Sequence, residues 1–152
     1  MDSGSFTKDE IEKAIIQAKE TGKYIGFDLP FILENAPKIE YELLENTKVV
    51  IIAELIHSLL DLRDKKDFRA KYAFNLIYEI SKTGNLTVIP ETRYPTKFKE
   101  YLHEWNLSFN NPLHQIIGYY LKLQDEFDFE ILLLSGDHIE EAVRETLPLH
   151  LL

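Results

Sequence analysis

Apolar positions along this chain follow two patterns that alternate from end to end: a spacing of three or four residues, and short unbroken runs of branched side chains. "FTKDEI" opens the first helical pattern. Thr7 stands as N-cap, Glu10 three residues on completes a capping box, and Phe6 faces Ile11 as a hydrophobic staple. Ile11, Ala14, Ile15 and Ala18 share one helix face, and Gly22 stops the helix. "KYIGFD" then reads as a short strand, and "LPFILENAPKIEYELLEN" as helical pieces broken at Pro37. "KVVII", Lys48 to Ile52, is a buried strand by its β-branched run, and it leads into the helix "AELIHSLLDL".

The second half continues the alternation. "DFRAKYAFNLIYEISKTG" is amphipathic through Phe68, Tyr72, Leu76 and Ile80, with Gly84 as its stop, so Phe68, Tyr72, Phe74 and Tyr78 are expected in the core. "NLTVIP" is a strand closed by Pro90 and expected at a sheet edge. The helices "TKFKEYLHEW" and "PLHQIIGYYLKL", the buried strand "EILLLS", the helix "DHIEEAVRET" and the short strand "LPLHLL" complete the chain. This order implies right-handed crossovers and an α/β, three-layer architecture, a mainly parallel open sheet flanked by helices. No repeat, linker or low-complexity segment divides residues 1–152, which predicts a single domain.

Composition narrows the chemistry. The chain has no cysteine, which excludes a thiol nucleophile, a CxxC redox pair and a thiolate zinc site. "MDSGSFTKDE" is polar and acidic where a secretory signal is basic and then apolar, and no run approaches the ~20 apolar residues of a membrane span. A cytoplasmic protein without membrane contact is expected. The net charge of −9 argues against nonspecific coating of nucleic acid. That charge is uneven: residues 1–99 carry 15 basic and 16 acidic side chains, and residues 100–152 carry 2 and 10. A basic cluster at Arg63, Lys65, Lys66, Arg69 and Lys71 is either a solvated helix end or a rim that steers a polyanion.

Three strands end on, or one or two residues before, a carboxylate: "YIGFD" on Asp28, "KVVIIAE" on Glu54 and "ILLLSGD" on Asp137. Ligands of open α/β sheets collect beyond the carboxyl ends of the strands, so parallel neighbours would bring these acids together. Converging carboxylates repel unless a cation joins them, and oxygen ligands without thiolate or paired histidine suit Mg²⁺ or Mn²⁺. Metal-dependent phosphodiester cleavage is the reaction class this predicts. Each acid also has a structural role open to it. Asp137 is a good N-cap for "HIEEAVRE", Asp28 for "LPFIL", Asn111 before Pro112 is an N-cap with proline at the first helical position, and Glu54 can face solvent. Glu54 and His57 form a single ExxH, short of the pair a di-iron bundle needs, and neither a GxSxG elbow nor a phosphate loop is present.

Asp28 after the first strand, Glu54 opening the helix after the second, and "SGD", Ser135 to Asp137, after the late buried strand together resemble the PIN domain. That family of compact α/β nucleases includes the toxin halves of toxin–antitoxin pairs and RNA-processing enzymes. The resemblance runs from about Lys23 to the C-terminus and leaves residues 1–22 as an N-terminal helical extension. It implies an endoribonuclease in which Asp28, Glu54 and Asp137 carry Mg²⁺ or Mn²⁺, Asn111 assists, and Ser135 orients Asp137 or a bound water. The expected partners are an RNA substrate, met in part by Arg63, Lys65 and Lys66, and an antitoxin-like protein. "DLP" replaces the family's hydroxyl residue after the first Asp, and Asn111 stands where members carry a further Asp. The alternative is therefore a noncatalytic PIN-like module that binds RNA or a protein. Apolar surface around "YYLKL" or "LPLHLL" is expected to support a homodimer.

Overall fold

Local capping chemistry sets where the first helix begins. Thr7 Oγ1 accepts the Glu10 amide and Glu10 Oε1 accepts the Thr7 amide, both at 3.1 Å, so the capping box forms and helix α1 spans Lys8–Thr21. Gly22 ends it in the left-handed conformation, φ 72°. The computed structural model describes residues 6–83, 85–89, 97–127, 130–136 and 150–151. After α1 come β1 (Tyr24–Phe27), α2 (Leu29–Asn35), two short 3-10 turns (Ala36–Lys38 and Tyr41–Leu44), β2 (Lys48–Ile52) and α3 (Ala53–Asp64). Then follow α4 (Phe68–Thr83), β3 (Asn85–Ile89), α5 (Lys97–Glu104), α6 (Pro112–Phe127), β4 (Ile131–Leu134) and β5 (His150–Leu151). The expected helix "DHIEEAVRET" lies outside the described residues.

All strand pairs are parallel, in the order β3-β2-β1-β4-β5. The chain steps from β1 through β2 to β3, then returns past β1 to lay down β4 and β5. Right-handed crossovers made in opposite directions put their helices on opposite faces of the sheet. In agreement, α2, α3 and α4 pack on one another and on the 3-10 turns, whereas α5 packs on α6 and α6 on β4. β1, β2 and β4 occupy the middle, and the apolar runs of β2 and β4 are buried as central parallel strands require. β3 lies at one edge, as expected for "NLTVIP", and is mostly exposed.

α1 is part of the core: Ile11, Ala14, Ile15 and Ala18 are all buried against it. The residues just before α1 are tied down too. Asn35, fully buried, accepts the Phe6 amide at 3.0 Å and donates to the Phe31 carbonyl at 3.0 Å, and the Phe6 and Phe31 rings meet at 5.7 Å. Among the described residues, no helix is long and apolar enough to cross a membrane.

Two expectations about apolar faces are overturned. On α4 the core stripe is Ala70, Ala73, Leu76 and Ile80, while Phe68 is 80% exposed and Tyr78 62%. Both stripes fit helical spacing. The alanine stripe faces inward because small side chains let α4 approach α2, α3 and the 3-10 turns, where rings would hold it off. On α6, Tyr120, Leu121 and Leu123 of "YYLKL" are buried in the core, so these residues form no exposed dimer face. Their burial follows from the position of α6 over the middle of the sheet.

Gly26 shows how tightly α6 is laid on β1. A Cβ built there would stand 2.7 Å from Cε1 of the Tyr120 ring. Gly26→Ala should therefore lower stability by about 1–3 kcal/mol through overpacking, read as a lower urea midpoint at unchanged m-value.

Candidate functional site

Asp28 is the first residue after β1 and the N-cap of α2, and it is fully buried. Its Oδ1 accepts the Phe31 amide at 2.9 Å, which is the capping bond, and also the Gly136 amide at 2.9 Å. Its Oδ2 accepts the Ser135 hydroxyl. One carboxylate thus joins the end of β1, the start of α2 and the end of β4. Close approach makes the junction possible, since a Cβ on Gly136 would meet the Phe31 nitrogen at 2.7 Å. Ser135, expected to orient Asp137 or a water, donates instead to Asp28, because both sit where β1 and β4 leave the sheet side by side.

Glu54 lies in the first turn of α3, directly beyond β2, and its Oε1 is shielded from solvent. Between the ends of β1 and β2 stands a residue that strand-end reasoning did not reach. Tyr120 comes from α6, is fully buried, donates its hydroxyl proton to the Phe27 carbonyl at 2.8 Å and accepts the Phe27 amide at 3.2 Å. Burial pushes its phenol far above the ordinary value of 10.0, and the nearby charges of Asp28 and Glu54 push the same way against the hydrogen bond from Phe27. Both carboxylates therefore lie near enough to act on one buried oxygen. A signal for Tyr120 did exist: it continues the stripe of Ile116 and Ile117, and a tyrosine on a core stripe needs a partner for its hydroxyl.

Asn111 takes its expected structural place before Pro112. Its carbonyl accepts the Gln115 amide at 3.0 Å as α6 begins. α6 runs back toward the start of β4, so its N-terminal end points to the same carboxyl edge as Asp28 and Glu54. The adjoining loop, with Ser108, Phe109 and Asn110, lines a groove of ≈ 680 Å³ against Lys99 and His103 of α5. Arg63, Lys65 and Lys66 are exposed at the far end of α3, with Arg63 lying on the Phe74 ring. At 1.5 Å per residue they stand roughly 14 Å or more along the helix from Glu54. The structure does not bring them to the carboxylates. His57 is exposed on α3. Asp137 lies outside the described residues, and among the described ones no three His, Cys, Asp or Glu side chains are grouped to hold a metal ion.

Comparison of the chain with protein-family models, with curated proteins and with solved structures finds no match.

Removing the Asp28 carboxylate strands two buried amides and a hydroxyl. Asp28→Ala should cost about 3 kcal/mol or more. Asp28→Asn, which keeps Oδ1, should cost only about 1 kcal/mol. Chemical denaturation of the two variants measures the difference, and equal losses would contradict the bonding described.

Tyr120 adds an alkaline dependence. Its folded-state pKa is raised, so the unfolded chain loses the proton first, and the associated stability is fully present below about pH 10 and falls as pH rises beyond it. Tyr120→Phe should flatten that limb of the stability profile, measured by urea unfolding between pH 9 and about 11.

Proposed function

We propose that the carboxyl edge of β1, β2 and β4 is the active site of a Mg²⁺- or Mn²⁺-dependent endoribonuclease of PIN-like type, which hydrolyses RNA phosphodiester bonds. The observation that supports this most is the sheet order. With β1 between β2 and β4, Asp28, Glu54 and the segment leading to Asp137 leave the sheet from adjacent parallel strands. This is the edge where open α/β sheets bind their ligands.

The donor chemistry fits a hard divalent cation. Only oxygens are offered, from the carboxylates of Asp28 and Glu54, as a hard divalent cation prefers. Glu54 and Asp28 would hold the ion together with Asp137, the residue after Gly136. Bound there, a divalent cation supplies charge neutralisation at the phosphodiester and a more acidic water. The residues of the chain do the rest. Ser135 and Gly136 fix Asp28 in one rotamer by three-point bonding with Phe31. Tyr120, its ionisation suppressed, keeps its proton on the hydroxyl through the physiological range and adds no third negative charge beside Asp28 and Glu54. Asn111 offers a neutral amide at the start of α6, and the groove with Lys99 and His103 extends this edge for RNA.

A second reading, a noncatalytic module that binds RNA or an antitoxin-like protein, draws support from one observation: Asp28 is already engaged by three protein donors, as a purely structural carboxylate would be. Metal binding separates the two. Mn²⁺ at one hundred times its Kd should stabilise the parent by about 2.7 kcal/mol, seen as a raised thermal midpoint. Glu54→Gln and Asp137→Asn should abolish that rise, together with metal-dependent cleavage of single-stranded and structured RNA. RNA or protein binding with neither a metal response nor cleavage would establish the noncatalytic module.

A further inference from the structure

β1 is bonded very differently to its two neighbours. It pairs with β4 at four successive positions, Tyr24–Ile131 through Phe27–Leu134, but with β2 only at Ile25–Val49. A parallel ladder continued from Ile25–Val49 would set Phe27 opposite Ile51, with the Phe27 amide donating to Val50 and the Ile52 amide donating to the Phe27 carbonyl. Tyr120 has taken that place. Its hydroxyl accepts the Phe27 amide and donates to the Phe27 carbonyl, the two groups that a continued ladder would pair with β2. One hydroxyl thus serves both main-chain groups of Phe27. The ring reaches this point only because Gly26 has no side chain in its path.

We infer that Tyr120 is a positioning residue, a spacer standing in the β1–β2 ladder that holds the two strand ends apart and thereby sets the separation of Asp28 and Glu54. The inference rests on the metal-site reading above and adds to it the reason that two carboxylates on neighbouring strands can face a shared cation. Asp28 directly follows Phe27, and Glu54 follows Ile52 by two residues, so both strands are held at the last position before each acid. Without the hydroxyl, the ladder groups of Phe27 and Ile52 must pair directly or stay unpaired, and either shifts one acid against the other.

Calorimetric Mn²⁺ titration of the full chain tests this, using the parent, Tyr120→Phe and Gly26→Ala, with Leu44→Ala, a buried residue of the turn before β2 at the opposite edge of the sheet, as a core variant. All are measured below their thermal midpoints, so a general loss of stability does not enter. Tyr120→Phe should bind Mn²⁺ roughly tenfold more weakly or worse, the range in which partners behind metal ligands act. Gly26→Ala, which keeps the hydroxyl but displaces the ring, should weaken binding in the same direction, and Leu44→Ala should match the parent. In cleavage assays at saturating RNA the loss in Tyr120→Phe should be recovered in part by raising Mn²⁺, a rescue that a merely structural role does not predict. Parent-like Mn²⁺ affinity in Tyr120→Phe would overturn the spacer and leave the metal site standing. No Mn²⁺ binding by the parent would overturn the metal site and the spacer together.

Discussion

A single buried carboxylate governs the architecture at the centre of the sheet. Asp28 has no access to solvent, and an ionised group there is tolerable only when its oxygens are hydrogen-bonded. The bonds come from three separate pieces of chain: the first turn of α2, the hydroxyl of Ser135 and the amide of Gly136. Where α2 can start, how far β4 can run beside β1, and how closely the backbone at Gly136 lies on Phe31 all follow from satisfying that one group. The donors belong to residues 31, 135 and 136, so the tie closes a loop of more than a hundred residues.

Asp28 also determines which side of β1 is closed. In a doubly wound sheet the point where the strand order reverses, here between β1 and β4, is the usual place for a ligand crevice. In this protein that gap is sealed at the level of Asp28 by the Gly136–Phe31 contact, and the four-residue β1–β4 ladder runs right up to it. The break in the ladder lies one strand over, between β1 and β2, where the Tyr120 hydroxyl replaces main-chain pairing. Sealing one side and spacing the other leaves Asp28 and Glu54 just beyond the ends of the two strands whose pairing the tyrosine hydroxyl interrupts.

The electrostatics are consistent with this division. The chain is strongly acidic overall, and the two arginines of its basic cluster on α3 and α4 are engaged locally. Arg69 bonds to Asp67 and to Glu34, and Arg63 lies over Phe74. Such exposed pairs contribute little to stability. Their position at the far end of α3 leaves cation or substrate recognition at the carboxyl edge to the groups there. The exposed rings of Phe68, Tyr72 and Tyr78 share α4 with these charges, which accounts for an aromatic content that core packing alone does not absorb.

Much of this was written in local patterns. The capping box at Thr7 and Glu10, the stop at Gly22, the buried runs of β2 and β4, and proline at the start of α6 depend on interactions within a few residues, so the sequence by itself determined them. The alternation of strands and helices was enough to predict a parallel sheet with helices on both faces. Asp28 as the N-cap of "LPFIL" was legible in the same way. Tertiary structure decided what no local rule could: that its partners are Ser135 and Gly136, that alanines and not aromatics on α4 face inward, and that "YYLKL" is core. It also decided that Tyr120 enters the sheet 93 residues after the strand it bonds. The physical reason is common to all four. Hydrophobic spacing offers more than one stripe, and a hydrogen-bonding group accepts any donor within reach, so the choice falls to close packing, which is settled only when distant segments meet.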